Sequence, residues 1–262
     1  SMPLTDHGVS RDEILDTVLA RLAVQLSDEQ LLVVENVLKE RIVVITGGPG
    51  TGKTTLIRAI CEVFTRLRQT VELGAPTGRA ARRLSEVTGR KASTLHKLLG
   101  YDPENQSFER HFANPLDLDV FIVDEASMVD TQLMYHLMEA LPAAASLILV
   151  GDTFQLPSVG PGNVLADMIE SGAVKVFSLN RIFRQAQESP IVMHAHAIRN
   201  GDMPEFKKEQ AGGLSEFYFI ENHEPGTVVG TILELCEKRI PSAFPHIDEI
   251  QVLTPMHKGE AG

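Results

Sequence analysis

Short apolar runs alternate along this chain with segments whose apolar residues recur at helical spacing. The first run, in "RIVVITGG", ends on two glycines, and others follow at Val71–Ala75, Val120–Glu125, Ser146–Asp152 and Val174–Leu179. Continuous runs of this length predict strands buried on both faces of a parallel sheet. Helical spacing between them predicts helices over 54–68, 80–86, 131–140 and 164–170. Strand and helix in alternation define an α/β fold whose parallel sheet carries helices on both faces.

Two helical segments, 14–26 and 31–38, precede the first strand, so residues 1–40 read as a helical prefix and 41–180 as the main domain. After Leu179 the alternation restarts, with helices expected over 190–199 and 228–239 and strands over 216–220 and 250–255. Two strands are fewer than the roughly five of an average sheet. Residues 181–262 are therefore expected to be the start of a second α/β domain that is cut short. The polar connection 100–119, with Phe108 and Phe112 among charged residues, is long enough to carry structure of its own, and a hairpin is expected there.

Composition narrows the class. A chain of 262 residues, 43% hydrophobic, suits one domain and part of another. Its two cysteines, Cys61 and Cys236, are far apart and lack metal-ligand spacing, which points to a reducing, cytoplasmic setting without a disulfide framework or zinc. No apolar run approaches the roughly 20 residues that cross a bilayer, so no membrane role is expected. Ser1 stands before Met2 and reads as an addition ahead of a native start. The net charge of −11 confines any nucleic-acid site to a local patch.

The chemistry begins at Gly47-x4-Gly52-Lys53-Thr54, which follows a predicted strand and opens a predicted helix. That is the context in which this spacing forms a phosphate loop. Backbone N–H groups of Gly48, Pro49–Thr51 (proline itself lacking one), Gly52 and Thr55 surround phosphate oxygens at a helix N-terminus. Lys53 reaches the terminal phosphates, and the Thr54 hydroxyl completes a Mg²⁺ shell. ATP and Mg²⁺ are the cofactors implied. Asp124 and Glu125 end the run "VFIV", where Asp124 would hold the metal and Glu125 would activate water. A carboxylate pair at a strand end can also cap the next segment, and the phosphate loop is what favours hydrolysis here.

"GGPGTGKTT", "APTGRAARRL", "STLHKLL", "VDEASMV", "GDTFQLPSVGPGNVLADMI" and "NRIFRQ", in that order, resemble the motifs of RecD-like DNA helicases of superfamily 1, the 5′-to-3′ branch that includes the exodeoxyribonuclease V alpha subunits. The likeness runs from about Leu26 to Gly262. "GDTFQLPSVGPG" is closer to this family than to the Pif1 or Dda relatives, which share its Gly-Asp-x-x-Gln core. The resemblance implies a RecA-like P-loop NTPase fold with a second RecA-like domain behind it, and a pin over 100–119. It makes Gln155 a sensor between the γ-phosphate and DNA and Arg184 an arginine finger, with Arg181 as its competitor. Gln30 would read adenine, although Ser27-x-x-Gln30 is equally a capping box. Family members carry later motifs that these residues lack, so weak hydrolysis and no unwinding are expected of the 262 residues alone.

Six basic residues, Arg79, Arg82, Arg83, Arg90, Lys91 and Lys97, lie close together against one acidic residue, Glu86. With Pro76, Thr77, Thr94 and His96 they form the candidate track for single-stranded DNA, or for DNA with a single-stranded 5′ end. Phe154 is the leading candidate for base stacking, followed by Tyr101, Phe108 and Phe112. His194 and His196 fall on different helix faces and predict no metal site. Other subunits of a nuclease complex are candidate partners. A P-loop ATPase that remodels a protein partner is the alternative reading.

Overall fold

The computed structural model describes Thr17 and residues 26–204, 216–247, 249–254 and 259. The chain divides into two compact units between Pro204 and Glu205. Apart from Thr17 and Leu26, the expected helix over 14–26 lies outside the described residues.

In the first unit, α1 (Asp28–Val37) starts on a full capping box. Ser27 Oγ accepts from the Gln30 N–H at 3.3 Å, and Gln30 Oε1 accepts from the Ser27 N–H at 3.0 Å. Then come β1 (Ile42–Gly47), α2 (Lys53–Arg66), β2 (Val71–Ala75), α3 (Gly78–Thr88), β3 (Ala92–Thr94) and α4 (Leu95–Leu98). The short strands β4 (Tyr101–Asp102) and β5 (Ser107–Phe108) pair antiparallel, so the connection 100–119 does contain a hairpin. The unit continues through β6 (Val120–Val123), α5 (Thr131–Ala140), β7 (Ser146–Gly151), α6 (Val164–Glu170), β8 (Lys175–Leu179), α7 (Arg184–Gln187) and α8 (Pro190–Arg199).

Six of these strands form one sheet in the order β3-β2-β6-β7-β1-β8, and every neighbouring pair is parallel. Strand alternation sends Val43, Ile45, Val120, Ile122, Ile148 and Val150 to one face, where they pack with α1 and α2. Val44, Phe121, Val123, Leu147 and Leu149 go to the other face, against α5 and α6. Both faces are thus apolar and covered, which is why the strands read as unbroken hydrophobic runs. To reach β2 the chain leaves β1 and passes β7 and β6. The loops beyond β1, β6 and β7 therefore flank a crevice at the C-terminal edge of the sheet, where open α/β sheets place their ligands.

The first unit runs to Pro204 and so includes α7 and α8, which the sequence pattern groups with the second domain. Glu29 Oε2 accepts from the backbone N–H groups of Asn180 and Arg181 at 3.1 and 3.3 Å, holding the exit from β8 against the start of α1. The second unit contains α9 (Pro225–Glu234), a π-helical turn over Leu235–Arg239 and α10 (Ile240–Ala243). Among its described residues, the strands expected over 216–220 and 250–255 are not formed, and residues 217–220 and 251–254 run as irregular backbone. Among the described residues, no helix is long and apolar enough to cross a membrane.

Phe121 is fully buried, and its ring lies so close to Gly74 that a Cβ there would meet ring atoms at 2.9 Å. Phe121→Ala is expected to lower the unfolding free energy by about 3–5 kcal/mol, read from denaturant or thermal unfolding.

Candidate functional site

The turn after β1 closes on itself. Thr51, almost fully buried, donates its hydroxyl to the Gly48 carbonyl at 2.8 Å, and Lys53 Nζ donates to the carbonyls of Gly47 and Gly48 at 2.7 and 3.1 Å. Gly50 and Gly52 have φ of +75° and +79°, and a Cβ on Gly52 would meet Gln30 Nε2 and the Phe183 ring at 2.7 Å. Only glycine meets both demands, conformation and space. Gln30 Nε2 donates to the Gly52 carbonyl at 3.2 Å while its Oε1 caps α1. The capping box expected of Gln30 is therefore present, and the same amide ties α1 to the phosphate loop. Thr54 and Thr55 lie in the first turn of α2, both half-buried.

Asp124 and Glu125 follow β6 directly. The Glu125 N–H donates to Asp124 Oδ1 at 3.0 Å, and the Asp124 N–H donates to the Gly74 carbonyl at 2.9 Å. Glu125 has φ of +53°, a left-handed conformation that a residue with a side chain adopts at a cost of about 1–3 kcal/mol. Its Oε2 is buried without a hydrogen-bond partner, as are Thr46 Oγ1 and Ser127 Oγ. A strained carboxylate with an unpartnered buried oxygen suits a group that meets a ligand, water or metal ion. Asp124 and Thr54 supply the hard oxygen donors that a magnesium ion takes.

The electrostatics match. Burial pushes both carboxyls above their ordinary range, and the Asp124 charge adds to the rise at Glu125, while Lys53 and Arg83 hold it back. Burial pulls the Lys53 ammonium below its usual value, against the pull of Asp152, Glu125 and Asp124 in the other direction. Lys53, Asp124 and Glu125, gathered at one edge of the sheet, are thus all shifted, as groups at functional sites commonly are.

Beyond β7, the buried carboxylate of Asp152 accepts from the Phe154 N–H at 3.1 Å, and its carbonyl accepts from the Gln155 N–H at 3.1 Å. Asp152 therefore shapes the turn that leaves the Phe154 and Gln155 side chains exposed. Arg184 is the first residue of α7, and its side chain lies outside the described part of the structure. On α8, His196 Nε2 hydrogen-bonds the Pro49 carbonyl at 2.8 Å. Arg199 lies 3.8 Å from Asp152 Oδ1, and its guanidinium sits over the Phe154 ring at 4.2 Å. The sequence brings His196 to notice only as a rejected metal ligand, and Arg199 not at all. Their i,i+3 spacing on one helix face was the only signal, and it becomes legible once α8 is known to cover the phosphate loop.

The basic patch is less uniform than its sequence. Arg82 pairs with Glu86 at 3.0 Å, and Arg90 donates to Thr65 Oγ1 at 2.8 Å, so neither guanidinium stands alone. Thr77 caps α3 and Thr94 caps α4, each accepting a backbone N–H while keeping a hydroxyl proton to donate. Pro76 is the residue between β2 and that Thr77 cap, and Arg79 is exposed in the first turn of α3. His96 meets Tyr101 edge-on at 5.2 Å. Phe108 is no free platform: it stacks on His136 at 4.4 Å and packs against the core, anchoring the hairpin. Phe112 is 81% exposed. Among the described residues no cluster of histidine, cysteine or carboxylate side chains could hold a metal ion by itself.

A carboxyl whose pKa rises on folding favours its neutral form in the folded state. Ionisation then costs stability above the ordinary carboxylate range and nothing well below it. Glu125→Gln is accordingly expected to raise the thermal midpoint at neutral pH, with the gain fading as the pH falls through the carboxylate range. Melting curves across that range read the effect directly.

The AAA domain family matches residues 25–217. The chain is 42% identical over 237 residues to the ATP-dependent RecD2 DNA helicase of Deinococcus radiodurans, covering 90% of this chain and 31% of that protein. It is 39% identical to the RecBCD enzyme subunit RecD of Mycolicibacterium smegmatis, covering 67% of this chain and 36% of the relative. The chain thus spans about a third of the length of these relatives. In structure it is similar to Pif1 helicase from Candida albicans, with a TM-score of 0.56 and 26% identity over 70% of this chain and 46% of that one. With the phosphate loop, the carboxylate pair and the Asp152 turn at one edge of a RecA-like parallel sheet, the chain belongs to the RecD-like superfamily 1 DNA helicase family and carries its P-loop ATPase domain.

Proposed function

We propose that these residues form the ATP-hydrolysing part of a motor that moves 5′ to 3′ along single-stranded DNA. The observation that carries this reading is the meeting of three loops at one sheet edge: the phosphate loop after β1, Asp124 and Glu125 after β6, and the Asp152–Gln155 turn after β7. The first holds phosphates, the second suits hydrolysis, and the third presents an exposed amide beside both.

In this reading Gly48 to Thr55 cradle the phosphates, Lys53 turns from the Gly47 and Gly48 carbonyls to the terminal phosphates, and Thr54 and Asp124 hold Mg²⁺. Held there, Mg²⁺ would supply positive charge to offset that of the phosphates. Glu125, its carboxyl held above its ordinary range by burial, takes a proton from the attacking water. Gln155 reports the γ-phosphate to the DNA, Arg184 contributes a cation from beyond β8, and Gln30 pairs with the base of the nucleotide. Pro76, Thr77, Arg79, Arg82, Thr94, His96 and Phe154 contact the single strand.

The relatives named as RecBCD subunits favour a role in DNA repair and recombination, with other helicase or nuclease subunits as partners. Two unpaired cysteines, Cys61 buried and Cys236 half-buried, fit a cytoplasmic setting. Residues 205–262 would belong to the second RecA-like domain.

In the whole protein, ATP turnover should rise with single-stranded DNA and vanish in Lys53→Ala. A duplex with a 5′ single-stranded tail should be opened and one with a 3′ tail should not. ATP turnover that ignores DNA would favour the partner-remodelling ATPase instead.

A further inference from the structure

Arg199 lies where the phosphate loop and the Phe154 turn meet. Its Nη1 lies against Gly48, in the space a Cβ there would take. The helix that carries it is pinned to the loop three residues earlier by the bond from His196 to the Pro49 carbonyl. The guanidinium is also shared with the β7 turn, lying 3.8 Å from the Asp152 carboxylate and stacked on Phe154 at 4.2 Å. One side chain thus touches both loops.

The pairing with Asp152 is loose. Charge-assisted bonds of this kind close to about 2.7–2.9 Å, and the Asp152 oxygen that faces Arg199 already accepts from the Phe154 N–H. A guanidinium has five N–H donors, so one long contact and a ring face leave donors for an oxyanion. A terminal phosphate carries about two negative charges, against one on Asp152. Lys53 reaches the terminal phosphates from the same loop, and its ammonium feels the Arg199 charge. Beside Arg199, an open cavity of about 540 Å³, bordered by Phe154, Asn180, Ile182 and His196, gives the side chain room to turn.

We propose that Arg199 binds the terminal phosphate of a nucleoside triphosphate and, in doing so, leaves Asp152 and Phe154. The Phe154 ring, 65% exposed, then loses its cation and is free to stack on a base. This rests on the reading of residues 47–55 as the nucleotide site. Arg199 thereby links the presence of a third phosphate to the residue expected to grip the strand.

Equilibrium binding of a fluorescent non-hydrolysable ATP analogue and of fluorescent ADP, compared in four variants, tests it. Arg199→Ala should weaken the triphosphate by about tenfold and leave the diphosphate nearly unchanged, the scale of one charge-assisted hydrogen bond. Arg199→Lys should restore much of the loss, because it keeps the charge without the planar fork. Phe154→Leu should tighten the triphosphate by about twofold to fivefold, since the competing ring is gone. This last variant leaves Arg199 in place and so tests the exchange even if Arg199→Ala fails to fold. Equal weakening of both nucleotides by Arg199→Ala, or weaker triphosphate binding in Phe154→Leu, would overturn the proposal. Lys53→Ala should weaken both nucleotides. If it does not, the nucleotide site itself is misplaced and the proposal goes with it, whereas a Lys53 loss beside an unchanged triphosphate preference in Arg199→Ala removes the proposal alone.

Discussion

A parallel sheet buried on both faces leaves polar chemistry one place to gather, the ends of its strands. In this protein β1, β6 and β7 are apolar on both sides, and their C-terminal ends carry Gly47, Asp124 and Asp152 in turn. The strand order sets those three ends next to one another although they lie far apart in the chain. Everything chemical about the site depends on that adjacency. A one-residue slip in register would turn the apolar faces of a strand over and carry its terminal carboxylate away from the loop.

The site is also where the fold carries its strain. Glu125 holds a left-handed backbone and an unpartnered buried oxygen, and Asp124, Glu125 and Lys53 are all driven towards neutrality by burial. Such groups weaken a protein unless a ligand compensates them. Their placement makes sense for a site that receives phosphates and a divalent cation, whose charges would balance Lys53 on one side and the carboxylates on the other. The loop glycines serve the same end, since side chains there would run into Gln30, Phe183, Arg199 and His196.

The candidate nucleic-acid side is built differently, from groups that already have structural work. Thr77, two residues beyond β2, and Thr94, the last residue of β3, cap the helices that follow, and Arg82 and Arg90 have partners within the fold. A cap accepts a hydrogen bond and leaves the hydroxyl proton available, so capping and phosphate contact are compatible in one threonine. The hairpin over 101–108 is anchored from beneath by Phe108, which leaves Tyr101 as its outer aromatic side chain, with Phe112 exposed in the segment that follows.

The sequence alone determined the sheet, its covering helices and the phosphate loop, because strands buried on both faces must be continuously apolar and a loop that wraps phosphate needs glycines at set positions. It also determined the capping box at Ser27 and Gln30, a local interaction within one turn. What it left undecided depended on which elements meet. Only the tertiary structure joined Gln30 to Gly52, laid α8 with His196 and Arg199 over the loop, and turned Phe108 inward. Helical spacing tells which residues share a face, whereas the neighbour that face meets depends on the path of the whole chain.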